Sequence, residues 1–445
     1  MHGVDPLRGA LREALKPRVE DLIGAQKTLY GPSEISALAL RRRRALRLRQ
    51  ERRDVRPQAG ERDPAEGLAT WEREMGASEW ARAGSGRKRE RLVAPRSEAQ
   101  RIAPSAIAGP IRRPALRSRI VIGIDLIRDA AGRLEPHLHR TPLLSARQLG
   151  DRAGVQLAIK AESFQRTGSF KPRGALNIVM SLPAERRQRG LVTVSAGNHA
   201  QAVAWAARIV KAPCTVVMPA GAPRSKIEAV HGYGAEVVLH DDRATLFDRL
   251  REEEARTGAF FVHPFDDPVG LAGAGTLGLE VLAERPDAEA VIVPIGGGGL
   301  IAGVASAVKQ LSPGCRVIGV ELEAGPGMGP ALAAGKPVPV ARPKTLADGL
   351  TPPFVGAIPL EIARRCVDEI VTVTEAEIVE GMRSLMVFAK LYVEGAGAAA
   401  TAALLARKPK LPSGARVVSI VSGGNVDPEQ VLTAVSACPA AADHV

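Results

Sequence analysis

The chain has 445 residues, of which 45% are hydrophobic, and its formal net charge is +13. This length allows two or three domains with cores of their own. The charge is unevenly placed, since residues 1–120 hold 27 Lys and Arg against 15 Asp and Glu, whereas the other 325 residues hold 34 against 33. Because the larger part is nearly neutral, the basicity does not indicate a nucleic-acid or membrane-surface partner for the protein as a whole.

The four cysteines, Cys214, Cys315, Cys366 and Cys438, lie at least 51 residues apart. This spacing excludes a disulfide scaffold and gives no metal-ligand pattern, so we expect buried thiols in a reducing compartment. No apolar run approaches the roughly 20 residues of a membrane span, and the N-terminus lacks the plan of a secretory signal. These observations predict a cytoplasmic protein without a membrane contact.

Residues 1–120 lack a periodic apolar face long enough to build a core, and they include four consecutive arginines, Arg41 to Arg44. We interpret this basic segment as a disordered, solvated extension. Two alternatives stay open. The segment could be a nucleic-acid-binding arm, or the true start could lie further on, since a near-neutral core beginning near Val121 needs nothing before it.

From about Ile122 the sequence alternates between short apolar runs, partly β-branched, and amphipathic stretches. Such alternation is typical of α/β proteins with buried parallel strands. We therefore predict open, mostly parallel sheets flanked by helices. The predicted strands are Leu157–Ala161, Leu191–Ser195, Thr215–Met218, Glu236–Leu239, Ala290–Pro294, Val317–Glu321, Ile370–Thr374 and Val417–Val421. The predicted helices include Ala200–Val210, Leu271–Ala283, Ile301–Leu311 and Glu375–Ala389.

Lys171 is the first candidate for chemistry, in the segment SFQRTGSFKPRG at residues 163–174. It follows a strand and a Gly-Ser turn and precedes Pro172, a context that favours the first turn of a helix. A lysine fixed there beside Phe170 could form a Schiff base with a carbonyl cofactor. An isolated lysine at a helix start is more often a solvated surface residue.

Three further segments follow predicted strands. Ser195–His199 (SAGNH) and Gly296–Leu300 (GGGGL) lead into helices, where converging N–H groups bind a carboxylate or a phosphate. The glycine run has neither the dinucleotide nor the P-loop pattern. Ser422 follows the last strand, at the edge where α/β sheets bind ligands. Ordinary strand–helix turns and an N-cap serine are the alternative interpretations.

Together and in this order, these segments resemble the threonine/serine dehydratase (threonine ammonia-lyase) branch of the fold type II pyridoxal-phosphate enzymes, the tryptophan synthase β-like group. The similarity runs from about Leu126 to the C-terminal region. It also includes HRTPL at 139–143, AGAGT at 272–276, ADG at 347–349 and VEGAG at 393–397. We divide the chain accordingly into the extension 1–120, a large cofactor-binding domain (121–189 and 269–445) and a small domain (190–268).

The resemblance implies pyridoxal 5'-phosphate as cofactor, with Lys171 as Schiff-base lysine and base. The other cofactor-binding residues would be Phe170 against the ring, Asn198 at the phenolic oxygen, Gly296, Gly297, Gly298, Gly299 and the N–H of Leu300 at the phosphate, Glu394 at the ring edge and Ser422 at the pyridine nitrogen. The substrate carboxylate would bind to Ser195, Ala196, Gly197, Asn198 and His199.

The implied reaction is β-elimination from L-threonine and/or L-serine, giving 2-oxobutyrate or pyruvate and ammonia. Serine racemase and hydroxyaspartate dehydratase are alternatives within the family, and a nucleic-acid-binding or regulatory role of the basic segment is an alternative of another class. A neutral Ser422 hydroxyl does not enforce a charged ring nitrogen, which favours elimination. Racemases of this group carry a serine where this chain has Ala196, which disfavours racemisation.

Partners follow from the same resemblance. We expect a small amino acid as substrate and a homodimer or homotetramer, with neither nucleic acid nor membrane. No metal is expected, because the segment after Glu321 lacks the aspartate that some relatives carry there. The chain ends 23 residues after Ser422, so we expect none of the regulatory modules that biosynthetic threonine dehydratases append.

Overall fold

The computed structural model describes residues 122–437, and the predicted extension 1–120 lies outside them. The strands in this part of the chain are β1 Leu143–Ser145, β2 Gln156–Ala161, β3 Leu191–Val194, β4 Cys214–Pro219, β5 Glu236–His240, β6 Phe260–Phe261, β7 Ala290–Pro294, β8 Arg316–Leu322, β9 Glu369–Val373 and β10 Arg416–Val421. The α-helices are α1 Ile124–Leu134, α2 Arg147–Ala153, α3 Lys171–Ser181, α4 Ala184–Gln188, α5 Asn198–Val210, α6 Arg224–Gly232, α7 Leu246–Thr257, α8 Pro268–Glu284, α9 Gly299–Leu311, α10 Met328–Ala334, α11 Ala357–Cys366, α12 Glu375–Ala389, α13 Gly395–Leu405 and α14 Pro428–Ala437.

These strands form two sheets. The six-stranded sheet has the order β1-β2-β10-β7-β8-β9, in which β1 is antiparallel to β2 and the other pairs are parallel. The four-stranded sheet has the order β5-β4-β3-β6 and is parallel throughout. The predicted α/β class with mostly parallel, helix-flanked sheets is confirmed. Strands β3 to β6 fall within the predicted small domain, 190–268, although the domain division itself stays a prediction.

The centre of the six-stranded sheet is buried on both faces. Along β7, Val291 and Val293 join one apolar cluster, which includes residues of α1, α3, α5, α8, α9 and α11. Ala290 and Ile292 join a second cluster, which includes residues of α2, α12, α13 and α14. Because helices cover both faces, the strand must be apolar at every position rather than at alternate ones.

All eight predicted strands are present, with ends that differ by at most one residue. The four predicted helices are present too, with up to three more residues at their starts and, in α8, one more at the end. Strands β1 and β6 were not predicted, because two or three residues give no periodic pattern. Helix α13 was not predicted either, because its residues Gly395 to Leu404 are all buried and it has no polar face.

Strand ends bring the predicted site segments together. Ser195, Ile295 and Ser422 directly follow β3, β7 and β10, while β2 leads through two short 3₁₀ turns to Lys171 at the start of α3. Strands β2, β7 and β10 are parallel, so their carboxyl ends lie at one edge of the sheet, the usual ligand-binding edge.

Two other findings concern the described residues only. Cys214, Cys315 and Cys366 are free and buried, while Cys438 lies outside residues 122–437. None of the described helices is long and apolar enough to cross a membrane.

Candidate active site

A cavity of about 730 Å³ lies at these strand ends, within the volume range of cofactor and small-molecule sites. Segments that follow strands of both sheets contribute to its wall. The structure brings together in this wall every site residue predicted from the sequence. These are Phe170, Lys171, Ser195, Ala196, Gly197, Asn198, His199, Gly296, Gly297, Gly298, Gly299, Leu300, Glu394 and Ser422. Their individual roles stay predictions.

Lys171 is the first residue of α3, and Pro172 follows it in the first turn. The preceding loop is fixed to the end of β10, since the Phe170 N–H donates to the Ser422 carbonyl oxygen at 3.0 Å. Lys171 Nζ donates to the Pro264 carbonyl oxygen at 2.8 Å and lies 5.2 Å from the centre of the Phe170 ring. Burial lowers the pKa of Lys171 to about 8, although the Glu394 carboxylate opposes that shift. A larger fraction of the amine is therefore neutral near physiological pH than for an exposed lysine.

The glycine run forms a tight turn between β7 and α9. A Cβ on Gly296 would lie 2.4 Å from the Gly349 carbonyl oxygen, and one on Gly297 would lie 2.3 Å from Cγ of Phe265. Gly298 has φ +89°, a conformation that favours glycine. The first N–H groups of α9 have no partner within the helix and lie at the positive end of its dipole, so the turn can hold an anion.

Ser195–His199 lies at the start of α5. Ser195 Oγ accepts a hydrogen bond from the Gly197 N–H at 3.1 Å, and His199 Nε2 bonds to the Val262 carbonyl oxygen at 2.9 Å. Burial, with a contribution from Lys171, lowers the pKa of His199 to about 3, so its ring is neutral. Because that ring is engaged, the segment offers an anion mainly its backbone N–H groups at the helix start.

Glu394 immediately precedes α13 and is buried against Asn198, whose Nδ2 donates to Glu394 Oε1 at 2.7 Å. Burial, followed by the charge of Asp348, raises the pKa of Glu394 to about 7. The Asn198 hydrogen bond and the charges of Lys226 and Lys171 oppose this rise. Ser422 is buried too, and its hydroxyl makes only a long contact of 3.5 Å with the Ala396 carbonyl oxygen. That hydroxyl is therefore available to a ligand.

Several residues of this region were not predicted from the sequence. Pro264 accepts the Lys171 hydrogen bond, and the neighbouring His263 has its pKa lowered to about 3 by burial and by Lys171. Asp348 forms an ion pair of 3.0 Å with Lys226 at the cavity wall. The ADG segment at 347–349 was a signal for Asp348, whereas the Pro264 carbonyl belongs to a loop without a recognisable motif.

Glu321, the residue considered for a metal site, has a structural partner instead. Its carboxylate accepts hydrogen bonds from the N–H groups of Gly327, Met328 and Gly329 at 2.8, 2.6 and 2.9 Å. These bonds satisfy donors at the start of α10. Within residues 122–437, no group of three or more His, Cys, Asp or Glu side chains is placed to hold a metal ion.

Comparison with known proteins adds independent findings. An L-threonine ammonia-lyase of Geobacter sulfurreducens is 45% identical over 314 residues, which is 70% of this chain and 77% of that protein. The solved structure of maize serine racemase is 36% identical, with a TM-score of 0.67, and the match covers 71% of this chain and 97% of that one. The processed form of threonine deaminase isoform 2 from Solanum lycopersicum is 33% identical, with a TM-score of 0.67, over 70% of this chain and 92% of that one.

These relatives confirm the resemblance to the threonine/serine dehydratase branch, and the family model that matches the chain confirms the predicted cofactor class. Residues 134–423 match the family model described as "Pyridoxal-phosphate dependent enzyme". That span includes all the predicted site residues, from Phe170 to Ser422. The chain therefore belongs to the family of pyridoxal-phosphate-dependent enzymes.

Proposed function

We propose that the protein holds pyridoxal phosphate on Lys171 and deaminates L-threonine, L-serine or both by β-elimination. The products are 2-oxobutyrate and pyruvate, each with ammonia. The observation that carries this proposal is a buried amine with a pKa of about 8 in a cavity that is also lined by the glycine turn at the start of α9. The similarity to an L-threonine ammonia-lyase and to a threonine deaminase supports this choice of reaction.

The residues of the cavity fit the cofactor group by group. Lys171 would offer an amine to the aldehyde, Ser422 would offer a hydroxyl to the ring nitrogen, and Asn198 would offer an amide N–H to the phenolic oxygen. The phosphate would lie on the N–H groups of the glycine turn. The turn requires glycine at this point, because a side chain on Gly297 would meet the Phe265 ring. The helix dipole of α9 adds positive potential that favours an anion.

Pyridoxal phosphate, once bound, supplies the electron sink that makes the substrate's Cα proton acidic. The chain supplies the base. Lys171 can take that proton near neutral pH, because burial lowers the pKa of its amine. The β-hydroxyl leaves as water, a water molecule is later consumed when the nitrogen is released as ammonia, and the net products are the 2-oxo acid and ammonia. The neutral hydroxyl of Ser422 does not force a proton onto the ring nitrogen, which favours loss of the β-substituent over return of the proton to Cα.

The start of α5 would orient the substrate. Backbone N–H groups of Asn198 and His199 lie at the positive end of this helix and suit a carboxylate. Ser195 and Ala196 complete the segment with small side chains, which leaves room for the substrate beside the cofactor. A cytoplasmic location and assembly as a homodimer or homotetramer belong to the same proposal, supported by the sequence and the family resemblance.

The proposal is tested by a panel assay of the purified protein loaded with pyridoxal phosphate. L-Threonine, L-serine and L-threo-3-hydroxyaspartate are supplied separately, and 2-oxo acid and ammonia are measured in equal samples of the unmodified protein and the Lys171→Ala variant. We expect 2-oxobutyrate from L-threonine or pyruvate from L-serine, and no turnover by the variant. A cofactor-loaded protein that formed no 2-oxo acid from any member of the panel would refute the proposed reaction.

A further inference from the structure

A hydrogen-bond relay connects the loop before Lys171 to Glu394 through the side chains of Asn425 and Asn198. Asn425 Nδ2 donates to the Thr167 carbonyl oxygen at 2.6 Å and to Asn198 Oδ1 at 2.8 Å. Asn198 Nδ2 in turn donates to Glu394 Oε1 at 2.7 Å. This relay therefore starts at the Thr167 carbonyl oxygen and ends at the Glu394 carboxyl group on the cavity wall.

The donor and the acceptor of each hydrogen bond in this relay follow from the first bond, at the Thr167 carbonyl oxygen. A backbone carbonyl can only accept, so the atom of Asn425 that faces Thr167 must be its amide nitrogen. The same nitrogen faces Asn198, so the Asn198 atom that meets it must be the accepting oxygen. The Asn198 amide nitrogen therefore faces away from Asn425. One of its N–H groups donates to Glu394, and the second is left for a ligand.

The backbone around Asn425 is held by the loop that precedes Lys171. Ser169 and Gly423 form an antiparallel bridge, and the Gly424 N–H donates to the Gly168 carbonyl oxygen at 2.9 Å. Gly168 leaves room for the Asn425 side chain, because a Cβ there would lie 2.5 Å from Asn425 Oδ1. Asn425 is thus fixed against the same loop that presents Lys171.

We propose that Asn425 is a positioning residue for the cofactor, because it fixes the orientation of the Asn198 amide and so directs an N–H group to the cofactor's phenolic oxygen. The proposal rests on the proposed function for the placement of the cofactor and goes beyond it by assigning a role to Asn425. Asn425 itself does not line the cavity. It acts through Asn198.

The relay also affects the pKa of Glu394. Asn198 is a hydrogen-bond donor to this carboxyl and stabilises its charged form, as do Lys226 and Lys171, whereas burial and Asp348 destabilise it. If the Asn198 amide were free to rotate, its oxygen could face Glu394, and that arrangement requires a protonated carboxyl group. Loss of Asn425 therefore raises the pKa of Glu394 above its value of about 7.

The test compares Asn425→Asp, Asn425→Ala and a matched control, Tyr392→Phe. Aspartate keeps the shape of Asn425 but places a carboxylate against the Thr167 carbonyl and Asn198 Oδ1. The control removes a side-chain hydrogen bond to the same loop, from the Tyr392 hydroxyl to the Val426 carbonyl oxygen at 2.8 Å, and leaves the relay intact. Two quantities are measured without substrate: the dissociation constant of pyridoxal phosphate, and the pH midpoint of the bound cofactor's absorbance change.

We expect Asn425→Ala to raise the dissociation constant about tenfold, which corresponds to the loss of about 1.4 kcal/mol, near the upper end of one hydrogen bond. Asn425→Asp should raise it further, and both variants should shift the pH midpoint upward by up to about one unit. The control should change neither quantity. In an Asn198→Ala background, Asn425→Ala should have no additional effect, because its partner is already absent.

The outcomes separate the two proposals. If the unmodified protein takes up no pyridoxal phosphate at Lys171, the proposed function fails before the relay is tested. If it does, unchanged dissociation constants and midpoints in both Asn425 variants overturn the relay, as do additive effects of Asn198→Ala and Asn425→Ala. Loss of the far-ultraviolet circular dichroism signal in both Asn425 variants would show a structural rather than a positioning role and would overturn the proposal too.

Discussion

Burial sets the charge of the titratable side chains around the cavity. It lowers the pKa values of His199 and His263 to about 3, so both rings are neutral near physiological pH. Burial also lowers the pKa of Lys171 to about 8 and raises the pKa of Glu394 to about 7. The Glu394 carboxylate raises the pKa of Lys171 and the Lys171 charge lowers the pKa of Glu394, so each group favours the charged form of the other.

The lowered pKa of Lys171 predicts the pH dependence of cofactor capture. Only the neutral amine attacks an aldehyde, so the rate at which the apoprotein binds pyridoxal phosphate covalently should rise with pH and level off above about 8. Rapid-mixing absorbance measurements across a pH series would record this rate. A rate that keeps rising towards the ordinary lysine pKa of 10.5 would show that Lys171 is not desolvated as described.

Ala196 predicts the stereochemical outcome. Its methyl group cannot exchange a proton, so Lys171 is the one base that we assign to Cα, and the enzyme should form very little D-serine from L-serine. Ala196→Ser places a hydroxyl in the segment and should raise D-serine formation relative to pyruvate. Chiral chromatography of both proteins gives the ratio. Substantial racemisation by the unmodified protein would overturn the one-base interpretation.

At the residue scale, the sequence indicated the cavity wall but not the contacts behind it. Lys171, the glycine run and Ser422 stand in motifs beside strand ends, so their convergence could be predicted. Asn425 lies three residues after Ser422 but was not singled out from the sequence. Its contact with Asn198, 227 positions away, depends on how two distant loops meet.

Among the elements, the turn between β7 and α9 has a strict steric requirement. Its glycines approach Gly349 and Phe265 so closely that any side chain displaces backbone or an aromatic ring. Phe265 itself packs edge-on against His263 and Phe354, with ring centres 4.9 and 5.5 Å away, so it has little freedom to move.

Gly297→Ala should therefore weaken cofactor binding. The added Cβ would meet the Phe265 ring at 2.3 Å and distort the N–H groups that would bind the phosphate. We expect the dissociation constant of pyridoxal phosphate to rise by at least about tenfold, equivalent to about 1.4 kcal/mol. Gly314→Ala is the matched control, since nothing lies within 4 Å of a Cβ there. Equal affinities of the two variants would contradict the proposed phosphate site.

Helix α3 is anchored by a buried ion network around Arg173, which lies two residues after Lys171. Arg173 is only 1% exposed and donates to both carboxylate oxygens of Glu162, at 2.7 and 2.8 Å, and to Glu280 at 2.7 and 3.1 Å. Lys160, which is fully buried, forms an ion pair with the same Glu280 at 2.7 Å. The network joins the end of β2, α3 and α8, and it holds the first turn of α3 in place.

Removing one partner of this network should lower the free energy of unfolding. Arg173→Met leaves the Glu162 carboxylate buried without its cation, and the free energy of unfolding should fall by about 3–5 kcal/mol. Arg224→Met breaks an exposed pair with Glu228, where the side chains are 82% and 60% exposed, and should cost less than about 1 kcal/mol. Urea unfolding of the apoproteins measures both. A similar loss in the two variants would contradict the structural role of the buried pair.

At the scale of the whole molecule, the site lies where segments of the two sheets meet. Asn198 follows the end of β3 in the four-stranded sheet, and its partner Glu394 lies beside β10 of the six-stranded sheet, where its N–H donates to the Gly423 carbonyl oxygen at 3.2 Å. Alternating strands and helices sufficed to predict the α/β class. They did not predict strand order, because pairs such as β2 and β10 are distant in the sequence and form only in the folded chain.

The central claim, that Lys171 holds the cofactor, is tested most directly by reducing the cofactor-loaded protein with borohydride and mapping the labelled peptide by mass spectrometry. Reduction makes the bond between the lysine and pyridoxal phosphate permanent. We predict a single pyridoxyl-phosphate label on Lys171, and loss of 2-oxobutyrate formation from L-threonine in the same sample. A label on another lysine, or no label in a sample that binds the cofactor and forms 2-oxobutyrate, would contradict this claim.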